Sequence, residues 1–130
     1  GMPDSALDFP KEAPESEYSD VIKYMEETYP EMTSEFKKIQ RDQYELFCKK
    51  QYDYGPQNIA VGTILKTKED VKLSLLGIWF RMNDKIERLK TLLMRDNNHA
   101  VENESVIDSF SDISNYGVMA KVVAKGKWAK

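Results

Sequence analysis

Apolar side chains recur every three or four residues along most of this chain, which is the spacing that aligns them on one side of an α-helix. The first such stripe runs over 18–29, and Pro30 ends it. A second helix, capped by Thr33 or Ser34, is predicted to continue to about Tyr52. Both segments are therefore expected to pack against other helices through one apolar side.

Two polar residues, Gln43 and Lys50, interrupt the apolar stripe of the second helix. A polar group on a buried face needs a partner, so each residue either reaches the rim of the fold or faces a polar cavity. For Lys50 the alternative is a side chain whose apolar stem lies on the core while its ammonium group extends into water. The sequence leaves both interpretations open.

Two longer helices follow. Thr67, with Asp70 three residues later, predicts a helix over about 69–94, and Asn103 caps another over about 104–124. The stripe of the first has a nearly regular heptad spacing, which suits packing against a helix of the same chain or of a second copy. It consists of Val71, Leu75, Ile78, Met82, Ile86, Leu89 and Leu93. Between the two helices, a polar turn over 95–103 is expected to leave His99 exposed and without a role.

These elements predict an all-α fold with a four-helix core. Residues 1–17, with three prolines and few large apolar groups, are expected to be extended or disordered, and 18–130 to form a single helical domain. Gly55 and Pro56 end the second helix, and 59–68 form a long connection. Tyr54 and Asn58 could close over a planar ligand there, or could belong to an ordinary helix exit.

The charge distribution narrows the choice of partners. The 130-residue chain has a formal net charge of −3, which argues against a general nucleic-acid-binding protein. Its distribution is uneven, since residues 1–35 hold ten acidic and two basic side chains, whereas residues 36–130 hold seventeen basic and twelve acidic ones. The carboxyl-terminal part is thus the one suited to phosphate groups.

The single cysteine, Cys48, excludes an internal disulfide and a cysteine-rich zinc site. No apolar run approaches the roughly 20 residues of a membrane span, and Met2 does not begin a signal-like segment. We therefore expect a cytoplasmic protein that does not enter a membrane.

Acidic side chains recur at helical spacing in both long helices. Asp84 and Glu87 lie among three basic residues in the third helix, and the fourth carries a column of polar residues. The column is Glu104, Asp108, Asp112 and Asn115. Two facing columns of carboxylates could hold a hard cation such as Mg²⁺, which is bound by a few carboxylates and substrate phosphates. The alternative is that both columns are solvated faces of an ordinary helical protein.

Three motifs, in this order, resemble a known family. They are Lys49-Lys50-Gln-Tyr-Asp53-Tyr54-Gly55, then Arg81-x-x-Asp84-Lys85-x-x-Arg88-Leu89, then Glu104-x-x-x-Asp108-x-x-x-Asp112-x-x-Asn115-Tyr116. This arrangement, over about 40–128, resembles the phage and bacterial family called nucleotide modification associated domain 1. That resemblance implies an association with nucleotide or DNA modification. In a phage-encoded protein, the expected location would be the host cytoplasm.

The helical layout is also similar to the MazG-like and dimeric dUTPase group of all-α nucleoside triphosphate pyrophosphatases. Those enzymes bind Mg²⁺ with carboxylates of two adjacent helices and release pyrophosphate. By position, Asp112 resembles the aspartate of their last acidic motif, and Asp108 or Glu104 its preceding acid. One departure is that the preceding helix offers only Asp84 and Glu87, flanked by bases, where the enzymes have a glutamate-rich motif.

The leading hypothesis is therefore a nucleotide-binding protein, with Mg²⁺- or Mn²⁺-dependent (d)NTP pyrophosphohydrolysis as its catalytic form. The predicted metal ligands are Asp84, Glu87, Asp108 and Asp112, with Glu87 and Asp112 catalytic. The predicted substrate-binding residues are Lys50, Tyr54, Asn58, Arg81, Lys85, Asn115 and Tyr116. A homodimer or homotetramer is expected through the third-helix stripe. The competing hypothesis is a non-catalytic helical module that sequesters a nucleotide or docks on a phage or host protein.

Overall fold

The computed structural model describes residues 16–95 and 103–130. Within these ranges the chain forms helices and no strand, which confirms the predicted all-α class for this part of the protein. The helices are α1 (Ser19–Thr28), α2 (Pro30–Tyr54), α3 (Gln57–Ala60), α4 (Lys68–Met94) and α5 (Glu104–Ala124). None of the described helices is long and apolar enough to cross a membrane. His99 and residues 1–15 of the predicted amino-terminal segment lie outside the described residues.

Side-chain caps fix where the two long helices begin. The Thr67 hydroxyl accepts a hydrogen bond from the backbone N–H of Asp70 at 3.0 Å, at the start of α4. The Asn103 side chain accepts one from the N–H of Ser105 at 2.8 Å, at the start of α5. Each bond satisfies a donor that the first helical turn leaves without a partner. Both predicted caps are confirmed.

The predicted start of α2 is wrong by a few residues. The helix begins at Pro30, because proline lacks the N–H that would be unpaired in a first turn and its φ already suits a helix. The same proline disfavours helical geometry at Tyr29, which has φ −128° and ψ 65° and separates α1 from α2. Thr33 is not a cap, since its hydroxyl donates to the carbonyl of Tyr29 at 3.0 Å within the helical turn.

The chain divides into two compact units between Glu45 and Leu46, within α2. In the first unit, α1 has no buried residue, and Lys37 of α2 forms a 2.5 Å ion pair with Glu26 of α1. The buried cluster belongs to the second unit and consists of Ile59, Ile78, Met119, Val123 and Trp128. It draws on α3, α4, α5 and the carboxyl terminus, and Phe47 from the end of α2 packs against it. The predicted four-helix core is not confirmed.

The stripe of α4 packs largely within the chain. Ile78 and Leu89 are buried, and Val71, Leu75 and Met82 pack against the core cluster. These residues therefore fit the intramolecular alternative, in which the stripe packs within the same chain. The homodimer or homotetramer stays a prediction. Two other members of the stripe, Ile86 and Leu93, are exposed.

The connection between α2 and α4 is more ordered than its sequence suggests. Gly55 has φ +80°, as predicted for a left-handed helix end, and the short helix α3 follows it. Two hydrogen bonds hold this segment: the buried Ser74 hydroxyl donates to the carbonyl of Ile59 at 2.6 Å, and Trp128 Nε1 donates to the carbonyl of Pro56 at 2.9 Å. The loop that leads into the cavity described below is thus tied to α4 and to the carboxyl terminus.

We expect Ser74→Ala to lower the free energy of unfolding by about 1–3 kcal/mol, because it leaves the buried carbonyl of Ile59 without the Ser74 donor. Ser109→Ala is the matched control. The Ser109 hydroxyl is also buried, but it donates to the carbonyl of Ser105 in its own helix, four residues earlier. Its loss should be nearly neutral. Urea unfolding of both variants measures the difference, and equal costs would contradict the proposed role of the Ser74 bond.

Candidate functional site

A cavity of about 310 Å³ opens in the second unit, between the end of α2, the segment that follows it, α4 and α5. This volume lies at the lower end of the roughly 300–1,000 Å³ usual for small-molecule sites. The lining residues are Phe47, Lys50, Gln51, Tyr54, Gly55, Asn58, Ile59, Arg81, Lys85, Asp112, Asn115, Tyr116 and Met119. They combine three basic side chains and one acidic side chain with aromatic rings and amides.

One carboxylate joins the three long helical segments around the cavity. Asp112 of α5 accepts hydrogen bonds from Lys50 of α2, at 2.9 Å on Oδ1, and from Lys85 of α4, at 2.9 Å on Oδ2. The Asp112 side chain is 13% exposed, whereas the lysines are 44% and 30% exposed. Each carboxylate oxygen thus has an ammonium partner, and Arg81 adds a third positive charge to the cavity lining.

The surroundings of Asp112 favour its charged form. Partial burial by itself would raise the pKa of this carboxyl group, because desolvation disfavours a charge. The hydrogen bonds and positive charges of Lys50 and Lys85 outweigh that effect and place the pKa below its ordinary value. The cavity lining therefore combines one carboxylate held in its charged form with three basic side chains.

A second cavity, of about 290 Å³, shares Lys50, Lys85 and Asp112 with the first. Its lining adds Arg88, whose Nη2 donates to the Ser105 hydroxyl at 3.2 Å. The other lining residues are Leu46, Asp108 and Ser109. The bridge between the two lysines and the aspartate is therefore a common boundary of two polar cavities.

The first cavity brings together most of the residues that the sequence analysis named. Asp112 and all seven predicted substrate-binding residues line it. These seven are Lys50, Tyr54, Asn58, Arg81, Lys85, Asn115 and Tyr116. Lys50, for which two interpretations were open, faces a polar cavity and pairs with a carboxylate there. The roles assigned to these residues stay predictions, since lining a cavity does not by itself establish binding.

The four predicted metal ligands are not brought together. Asp108 is exposed and lines only the second cavity, while Asp84 and Glu87 are exposed and line neither cavity. Across 16–95 and 103–130, no three His, Cys, Asp or Glu side chains are grouped closely enough to hold a metal ion. Because both oxygens of Asp112 accept from lysines, the described residues do not fit a carboxylate site for Mg²⁺.

Five lining residues were not named as site residues from the sequence: Gly55, Ile59, Met119, Phe47 and Gln51. Phe47 and Gln51 lie on α2 together with Lys50. Phe47 lies three residues before Lys50, Gln51 lies one residue after it, and Tyr54 lies four residues after it. Positions 47, 50, 51 and 54 share one side of a helix, so this spacing was the signal that could have found them. Phe47 also packs against the core, where its ring contacts that of Trp128, with centroids 5.9 Å apart.

A comparison of the sequence with known families agrees with part of the resemblance. The model of the family described as nucleotide modification associated domain 1 matches residues 66–123. The match includes α4 and nearly all of α5, and thus Arg81, Lys85 and Asp112, but not Lys50 or the segment that leads to α3. No curated protein and no solved structure matches the chain, so the likeness to MazG-like pyrophosphatases has no support from them.

We expect Asp112→Asn to lower the free energy of unfolding by about 1 kcal/mol at pH 7, because two partly exposed lysines lose their counter-charge. The pKa of Asp112 is lowered in the folded state, so its contribution is present above the unfolded pKa of about 3.9 and is lost as the pH falls through the folded pKa. The difference between wild type and variant should therefore shrink in acid.

Urea unfolding at pH 7 and pH 3 measures this dependence. Asp108→Asn is the matched control, since Asp108 is an exposed acid one turn earlier on the same helix. Its effect should be small at both values of pH. A difference between wild type and Asp112→Asn that is the same at pH 7 and pH 3 would contradict the charge-based account.

Proposed function

We propose that this protein binds a nucleotide in the first cavity and holds its phosphate groups with Lys50, Arg81 and Lys85. The observation that carries the proposal is the excess of positive charge around one carboxylate whose two oxygens are already paired. Phosphate oxygens accept charge-assisted hydrogen bonds from lysine and arginine, and such bonds are about twice as strong as those between neutral groups. The oxygens of a bound phosphate group would accept hydrogen bonds from the three basic side chains that line the cavity.

The rest of the cavity suits the base of a nucleotide. Phe47, Tyr54 and Tyr116 provide aromatic surface, on which planar rings stack favourably. Gln51, Asn58 and Asn115 carry amides, which both donate and accept hydrogen bonds and so match the mixed edges of a base. Tyr54 is 76% exposed, so its ring lies at the rim and is free to cover a bound ligand.

The family description supports a role in nucleotide metabolism, because it associates the matched segment with nucleotide modification. We propose on that basis that the protein acts in nucleotide or DNA modification. The resemblance of its three motifs favours a phage-type setting. Within this setting binding is favoured over hydrolysis, since the described acids do not form the site that Mg²⁺ would need. We therefore propose that Asp112 positions the two lysines and neutralises part of their charge.

We expect the protein to be stabilised by nucleotides and not by nucleosides, in the presence of EDTA. A ligand that binds only the folded state at a hundred times its Kd raises the free energy of unfolding by about 2.7 kcal/mol. Thermal unfolding with a panel of canonical and modified nucleotides, followed by calorimetric titration of the best one, measures this effect. An equal response to nucleosides and nucleotides would contradict phosphate recognition, and no response at all would favour a module that docks on proteins.

We expect Arg81→Ala and Lys85→Ala each to weaken nucleotide binding about ten- to a hundredfold, because each removes a charge-assisted hydrogen bond of roughly 1.5–3 kcal/mol. Lys121→Ala is the matched control, because Lys121 is an exposed base of α5 that lines neither cavity. Its affinity should equal that of wild type. An equal loss in all three variants would indicate nonspecific attraction to a basic surface.

A separate assay distinguishes binding from turnover. We expect no release of pyrophosphate or phosphate from (d)NTPs with Mg²⁺ or Mn²⁺, and we expect Asp112→Asn to retain nucleotide binding in EDTA. Metal-dependent release that Asp112→Asn lacks would overturn this part of the proposal. It would establish the pyrophosphohydrolase predicted from the resemblance to MazG-like enzymes.

A further inference from the structure

Helix α4 carries a second apolar surface, which adjoins the core-facing stripe at Ile86 and extends around the exposed side of the helix. Its residues are exposed by about half: Leu73 45%, Leu76 46%, Trp79 56%, Phe80 61% and Ile86 48%. The rings of Trp79 and Phe80 contact each other edge to face, with centroids 5.2 Å apart. We call these five residues the α4 outer strip.

This strip is unusual for a surface helix. Single exposed apolar residues are common, but a group at helical spacing that contains tryptophan and phenylalanine, interrupted here by the partly exposed Asn83, is typical of an interaction surface. At 100° per residue, its members cover little more than a third of the helix circumference. The cavity residues Arg81 and Lys85 lie on a different side, so a partner on the strip would leave the first cavity open.

Charged residues continue the strip at both ends, and their signs are arranged symmetrically. Glu69 and Lys72 precede the apolar residues, whereas Glu87 and Lys90 follow them, and all four are exposed. The midpoint of the strip lies between Trp79 and Phe80. Lys72 and Glu87 are equally far from it in sequence, and so are Glu69 and Lys90. Reversing the helix about this midpoint therefore exchanges each positive charge for a negative one.

We propose that two copies of this chain associate through the α4 outer strip, with their α4 helices antiparallel and a two-fold axis near Trp79 and Phe80. In this arrangement Lys72 lies opposite Glu87 of the partner subunit, and Glu69 lies opposite Lys90 of the partner subunit. Each end of the contact then gathers two lysines and two glutamates. The proposal is independent of nucleotide binding, since it uses another side of α4.

Symmetry explains why a second copy fits this surface. A two-fold contact joins a patch to itself, so the patch must be complementary to its own reversed image. The α4 outer strip meets this condition at Trp79 and Phe80, which face each other across the axis, and at its charged ends. Leu73 faces Ile86 of the partner subunit, and Leu76 faces Asn83 of the partner subunit. From Glu69 to Lys90 the contact would extend over about 31 Å of helix at 1.5 Å per residue.

The charge pairs can form only between copies. Lys72 and Glu87 are fifteen residues apart on one helix, or about 22 Å along its axis, which is beyond the reach of a direct ion pair. Glu69 and Lys90 are farther apart still. Any energetic coupling between positions 72 and 87 that depends on the sign of their charges therefore identifies an intermolecular contact.

The first experiment is sedimentation velocity of the full chain over a hundredfold range of concentration. We expect a species of twice the 15.1 kDa chain mass that dissociates on dilution. Trp79→Glu should raise the dimer dissociation constant at least a hundredfold, because it places two charges in the apolar centre. Circular dichroism and thermal unfolding of the variant confirm that it folds. A wild type that is monomeric at every concentration overturns the proposal, as does a dimer that Trp79→Glu leaves unchanged.

Charge reversal tests the antiparallel register. We expect Lys72→Glu and Glu87→Lys each to raise the dissociation constant about tenfold, and the double variant to return it to within about threefold of wild type. Lys121→Glu, the same charge change on an exposed residue of α5, is the matched control and should have no effect. Single variants without effect, or a double variant weaker than either one, overturn the antiparallel pairing. A tetramer that Trp79→Glu converts to a dimer supports it, with the strip as one of two contacts.

Discussion

The paired carboxylate of Asp112 is the interaction on which the second unit depends. It connects α5 to α2 through Lys50 and to α4 through Lys85, and it does so at the boundary of two polar cavities. Without it, two ammonium groups would face each other across a partly buried space, which is unfavourable at short distance. The bridge thus both holds the end of α2, from Leu46 onward, beside α4 and α5 and gathers the basic side chains of the cavity.

The same bridge determines which ligands the cavity suits. A carboxylate that accepts from two lysines has little capacity left for a metal ion, so the site presents cations to a ligand rather than acids to a metal. The neighbouring segment completes the site, because bonds from Ser74 and Trp128 hold the turn that connects Tyr54 to Asn58. The long helices supply the charged side chains of the cavity. The aromatic and amide side chains suited to a base lie largely on the end of α2, the adjoining turn and the middle of α5.

Sequence periodicity and caps predicted α4 and α5 well, because Thr67 and Asn103 act locally on the turn that follows them. They could not predict α3, whose four residues are too few to show a period. Helical spacing also identified which residues share a side of α4 or α5, but not which side meets the cavity. Asp84 and Glu87 were therefore assigned to a metal site, although both are exposed outside the two cavities. Only tertiary packing decides that question.

Three sides of helix α4 have different surroundings, and the residue types in its sequence match each of them. Ile78 and Leu89 lie in the core, Arg81 and Lys85 face the first cavity, and Trp79 and Phe80 are exposed. A helix that needed only to cover the core would gain nothing from exposed aromatic residues, which favour aggregation unless a partner covers them. The exchange of charge signs around Trp79 and Phe80 makes that surface complementary to its own reversed copy. The outer side of α4 is therefore the one suited to association of two copies, whereas the side with Arg81 and Lys85 is the one suited to a ligand.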